Sequence, residues 1–155
     1  SKANWTPVVE EALSCWKKGM PSLMVTPHPI EFVRQGEDIL MRFEEDDAER
    51  LIHMNQEGPI PQASFALLGY SVGKWEGDTL VVETSNIDAP GFDDQGTPMD
   101  SNIRLTERFT LSAEQQRLDY GISIVDPVTF SRPLELTRYW IWRPELAVHQ
   151  WNCVD

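Results

Sequence analysis

Cationic clusters are what this sequence most conspicuously lacks. Its 155 residues carry 13 Lys and Arg against 25 Asp and Glu, a net charge of −12, and Lys17-Lys18 is the only adjacent basic pair. Nucleic acids and anionic membrane surfaces are held by clustered Lys and Arg, so the charge pattern speaks against both as partners. No apolar run approaches the roughly 18 residues of a membrane-spanning helix. No glycine-rich phosphate loop, dinucleotide fingerprint or nucleophile elbow is present. The three histidines, His28, His53 and His149, are scattered without metal-ligand spacing. The expectation is therefore a protein without metal or cofactor.

Cysteine is nearly absent too. Cys15 and Cys153 lie near opposite ends of the chain, and the termini of a domain often lie close together. A disulfide between them would close almost the whole chain, with a stabilisation of about 4–5 kcal/mol in the chain-entropy model. That reading implies an oxidising compartment, periplasmic or secreted; the alternative is two unrelated buried thiols.

What is present is bulk and alternation. Hydrophobic residues make up 41% of the chain, including six Trp, six Phe and three Tyr, enough for one domain with a real core. We read residues 1–155 as a single domain, a helix over 6–19 followed by a β-barrel over 22–155. Thr6 suits an N-cap, Pro7 the first helical position and Gly19 the C′ position, with Val9, Leu13 and Trp16 on one face. Beyond Pro21 the period becomes two. Ile39, Met41 and Phe43 alternate with Leu40, Arg42 and Glu44, a solvated acidic turn follows at Glu45–Glu49, and Arg50–Asn55 reads as the returning strand. Tyr70–Lys74 and Thr79–Thr84 flank Glu76-Gly77-Asp78, a hairpin signal. Ser85–Ser101 is a long loop rich in Asp, Gly and Pro, and Arg104–Leu111, Leu118–Val125 and Leu134–Trp142 are three further strands. The pattern predicts a mainly β fold, an antiparallel meander closed into a lipocalin-like barrel of about eight strands. A sandwich is the alternative.

The segment Gly69-Tyr70-Ser71-Val72-Gly73-Lys74-Trp75-Glu76-Gly77-Asp78-Thr79-Leu80-Val81-Val82-Glu83-Thr84 resembles one found in a group of uncharacterised, mostly exported bacterial proteins. Leu105-Thr106-Glu107-Arg108-Phe109, the Asp126-Pro127 turn, Cys15 before Gly19-Met20-Pro21, and Cys153 extend that resemblance over nearly the whole chain. It brings no assigned reaction. Many members carry His in the stretch matching Gly96-Thr97-Pro98-Met99, where this chain has Met99. The Trp-Glu-Gly-Asp-Thr-Leu hairpin also resembles those of lipocalin and fatty-acid-binding barrels, a likeness at the level of fold.

Alternation singles out the candidate site. Glu107 shares a strand face with Leu105, Phe109 and Leu111, and Arg138 shares one with Leu134, Leu136, Trp140 and Trp142. A charge on an apolar face requires a partner, so Glu107 and Arg138 are expected to pair. One reading is a buried ion pair that fixes register. The other is a cavity in which Arg138 holds an anion and Glu107 moves a proton. Tyr120, with Leu118 and Ile122, and His53, with Leu51, are placed as supporting catalytic groups. Trp140, Phe109, Met41 and the ambiguous Glu83 complete the expected ligand-facing set, with residues 87–100 covering the mouth. Two functions follow as expectations: a cofactor-independent lyase, isomerase or cyclase acting on a small molecule, or a periplasmic carrier of a small apolar ligand without catalysis.

Overall fold

Alternating strands that each bury one face have to share a core, and here they do so in one sheet. A computed structural model describes residues 17–93, 97–114 and 116–152. Its eight strands are β1 (Ile30–Gln35), β2 (Asp38–Phe43), β3 (Glu49–Met54), β4 (Tyr70–Glu76), β5 (Thr79–Ser85), β6 (Arg104–Leu111), β7 (Arg117–Val125) and β8 (Leu134–Ile141). They lie side by side in chain order. Every neighbouring pair is antiparallel except β3 and β4, which run parallel, so the 15 residues of 55–69 cross over rather than turn back. The sheet is therefore mixed, not a pure meander.

It curls into a half-barrel. Among the described residues β1 pairs only with β2 and β8 only with β7, so the expected closure is absent. The segment leading into β1 does part of the work of closure. A short 3-10 turn, Ser22–Val25, places Leu23 and Met24 in the core with Met20. The helix expected over 6–19 lies outside the described residues apart from 17–19, which carry no regular structure. Cys15 and Cys153 also lie outside them.

The register brings inward-facing residues of β2 to β7 together, from Met41 and Phe43 through Ile52, Val82, Leu105 and Phe109 to Ile122 and Ile124. Each fully buried side chain of this size contributes about 1.5–3 kcal/mol relative to exposure. Two glycines are dictated by local geometry. Gly77 has φ +61 in the two-residue β4–β5 turn, a conformation that only residues without a Cβ adopt freely. Gly73 faces inward on β4, where a Cβ would stand 2.7 Å from Ile52 Cγ2 and 2.8 Å from Met54 Sδ. It lets β3 and β4 close up.

The strand β1 is the element the periodicity does not announce, because Val33 and Arg34 interrupt its alternation. The acidic turn also differs from the solvated loop expected: Glu45 and Asp46 are buried. Lys18 donates to both, from Nζ to Glu45 Oε1 and from its backbone N to Asp46 Oδ2, each at 2.7 Å, and His28 Nε2 lies 2.9 Å from Glu45 Oε2. The same turn receives the C-terminal tail, with His149 N on Glu44 and Trp151 N on Asp47. Its carboxylates tie three distant segments together.

Candidate functional site

The half-barrel contains a sealed polar centre and, at one end, an apolar cleft. The centre is built from five consecutive strands. Arg50 comes from β3, Ser71 from β4, Thr84 from β5, Glu107 from β6 and Tyr120 from β7, and all are buried. A guanidinium offers five donors in a fixed fork. Here Nη1 and Nη2 reach the two oxygens of Glu107 at 3.1 and 2.5 Å, Nε reaches Ser71 Oγ at 3.0 Å, and Nη2 reaches Thr84 Oγ1 at 2.8 Å. Nη1 also lies 3.7 and 3.8 Å from the sulfurs of Met24 and Met41. Tyr120 donates its hydroxyl to Glu107 Oε2 at 2.7 Å. Burial, and then the Glu107 charge, push that hydroxyl far above the ordinary phenol range, which makes it a fixed donor rather than a base.

Glu107 is thus paired from the inner face, as alternation implies, but with Arg50 and not with Arg138. The register explains the exchange. Arg138 stands beside Tyr120 on the edge strand β8, whereas Arg50 extends toward Glu107 from β3, across Ser71 and Thr84. Arg138 instead donates Nη1 to the carbonyls of Met24 at 2.7 Å and Thr26 at 3.2 Å, and lies over the Trp140 ring at 4.8 Å. Partial burial lowers its pKa from the ordinary guanidinium value. It clasps the pre-β1 segment to the free edge.

His53 is on the opposite face from the one expected. Arg50, Ile52 and Met54 point inward, and His53 stacks on Tyr70 at 4.2 Å on the outer side. Glu83 is likewise outward and exposed, opposite Val72 and Thr106. Met41 faces inward but is fully buried against Arg50, and Trp140 is half-buried beside Phe109 and Tyr120. Arg50 opens the returning strand, but the phase that turns Leu51 and His53 inward puts it on the outer face. Its two-residue spacing from Ile52 and Met54 was the available signal.

The cleft occupies about 400 Å³. Phe32, Ile39, Met54, Leu80, Phe109 and Leu118 supply its apolar lining, and Phe32 meets Phe109 edge-on at 5.7 Å. It opens at the end of the sheet where the β1–β2, β4–β5 and β6–β7 turns gather. Arg34, Glu37, Asp38 and Asp78 lie around it, with Trp75 exposed beside them. The long loop does not cover this mouth. It leaves from Ser85 and returns at Arg104, at the other end, where Ile87 and Ile103 are buried. Asp126 anchors it, accepting from Asp100 N at 3.0 Å and Thr129 N at 3.1 Å. Burial raises the Asp126 pKa, but these donors outweigh it and hold the carboxyl below its usual range. A smaller cavity of about 120 Å³ lies near this end, between Met24, Phe92, Tyr120 and Leu136.

Among the described residues no three His, Cys, Asp or Glu side chains gather as a metal site, and no helix is long and apolar enough to cross a membrane. No family model, curated protein or solved structure matches the chain.

Proposed function

We propose that this protein binds a small, largely apolar molecule in the cleft at the β1–β2, β4–β5 and β6–β7 end of the half-barrel, as a carrier rather than a catalyst. One observation carries the reading: this cleft is apolar, and the carboxylate best placed for acid/base chemistry is not among its lining residues. Glu107 is 0% exposed and its oxygens are occupied by Arg50 and Tyr120. Lyase, isomerase or cyclase chemistry at Glu107 would require that network to open. Ligand pockets of some 300–1,000 Å³ with apolar linings and a few polar groups at the edge are the usual form of small-molecule sites, and this cleft fits that description.

An exported location is part of the proposal. Lys18 and Trp151 are bound to the adjacent residues Asp46 and Asp47, which supports a disulfide between Cys15 and Cys153, a few residues beyond each. The resemblance of the Gly69–Thr84 segment to one in exported bacterial proteins supports the same location.

The test is titration with N-phenyl-1-naphthylamine, a neutral apolar dye that brightens on leaving water. Leu111→Arg and Leu118→Arg place a charge at the mouth and in the lining, and should weaken dye binding about tenfold or more, the loss expected for one good apolar contact. Val128→Arg, on a residue 74% exposed in the β7–β8 turn at the other end, should leave binding unchanged. Equal affinity in all four proteins would remove the cleft as the site.

A further inference from the structure

We infer that the molecule bound in this cleft carries a positive charge at one end, as an alkyl or aryl ammonium does. This rests on the cleft being the ligand site. An apolar lining selects a tail of any polarity at its far end, so the groups around the mouth decide the head. Three carboxylates, Glu37, Asp38 and Asp78, stand there against the single guanidinium of Arg34. Glu37 occupies the β1–β2 turn and Asp78 the β4–β5 turn, so two separate hairpins present acid to the same opening.

The acids there are not committed to balancing each other's neighbours. Among the described residues Arg34, Glu37 and Asp78 enter no ion pair. Asp38 uses Oδ1 to hold Met54 N at 2.9 Å, which fixes its carboxylate at the cleft wall. Trp75, 58% exposed, adds an aromatic face beside Asp78, and a Trp ring attracts a cation placed over it. The surrounding field has the same sign, since the whole chain carries −12; it favours approach of a cation and opposes that of a fatty acid or other apolar anion.

Three ligands with one tail separate head from tail: octylamine, charged at neutral pH, 1-octanol and octanoate, each displacing N-phenyl-1-naphthylamine. Octylamine should displace the dye at about a tenfold lower concentration than octanoate, the size of one or two partly exposed charge contacts, with octanol between them. Added salt should narrow the gap. The double variant Glu37→Gln/Asp78→Asn should remove most of the amine's advantage while leaving octanol unchanged. Octanoate binding as well as octylamine, or a preference that survives in the double variant, would overturn the assignment of charge and leave the apolar site standing. Failure of all three to displace the dye would overturn both.

Discussion

Arg50 and Glu107 stand 57 positions apart in the chain and meet in the middle of the sheet, where the guanidinium grips both carboxylate oxygens. Neither is appreciably exposed, at 2% and 0%. Taking two charges out of water is costly, and the return comes only when every donor and lone pair finds a partner. Ser71, Thr84 and Tyr120 supply those partners from three further strands. The network thereby fixes how β3, β4, β5, β6 and β7 align.

Breaking one side of the pair should be worse than removing both. Arg50→Met leaves a buried carboxylate without its cation, and Glu107→Leu leaves the reverse; each should cost about 3–5 kcal/mol. The double variant Arg50→Met/Glu107→Leu should recover much of that loss. Urea unfolding of the four proteins measures the coupling. Simple additivity would show that the two charges do not depend on one another.

Tyr120 makes a pH-dependent contribution whose sign follows from its environment. In the unfolded chain its hydroxyl ionises near the ordinary value of 10.0, whereas in the folded protein burial and the Glu107 charge hold the proton well beyond that. Above that pH the native state retains a proton the unfolded state has lost, so the stability it confers is complete below pH 10 and declines as pH rises from there. Tyr120→Phe removes one donor to Glu107, a loss of about 1–3 kcal/mol near neutral pH. The gap between wild type and variant should shrink above pH 10 by up to about 1.4 kcal/mol per pH unit. Urea midpoints at about pH 8 and about pH 11 decide it; a constant gap would contradict this account of the Tyr120 proton.

Much of the fold was legible because most strands bury one face and expose the other. The β4–β5 hairpin and the last three strands appear in the sequence almost to the residue. The open edges at β1 and β8 and the parallel β3–β4 pair were not legible, because pairing partners are set by tertiary contacts that alternation does not encode. Val33 and Arg34 hid β1 for a local reason. In the site, alternation identified Glu107 and Tyr120 as inward-facing, and it put Arg138 on the inner face too. It could not say which cation reaches Glu107. A phase one residue off in β3 turns His53 inward and Arg50 outward, since a one-residue shift exchanges the two faces of a strand. The cleft's acidic mouth was invisible for another reason: Glu37 and Asp78 sit in separate turns that only the curl of the sheet brings together.

The cysteines give a prediction that needs no ligand. Lys18 N and Trp151 N bind neighbouring carboxylates of one turn, and Cys15 and Cys153 follow within a few residues on either chain end. Protein made in an oxidising compartment should yield a linked Cys15–Cys153 peptide pair on non-reducing digestion. Reduction should lower stability by up to about 4–5 kcal/mol, the entropy of so long a closed loop. Two free thiols in exported protein would rule the bridge out.

Arg138 has a task that neither a catalytic nor a simple ion-pair role describes. It joins the last strand to the segment that precedes the first, through the carbonyls of Met24 and Thr26, across the gap where a closed barrel would have continuous pairing. Its planar group also rests on Trp140. Arg138→Lys keeps the charge but loses the fork and the stacking surface, and Arg138→Met keeps only the stem. Each charge-assisted hydrogen bond is worth about 1.5–3 kcal/mol at most when buried, and less here because the side chain is partly solvated. Arg138→Met should therefore destabilise modestly, by about 1–2 kcal/mol, while speeding amide exchange at Leu23, Met24 and Thr26 far more than in β5 or β6. Arg138→Lys should fall between. Uniform acceleration across the sheet would mean the side chain supports the core generally, and unchanged exchange at Leu23–Thr26 would mean the clasp holds nothing.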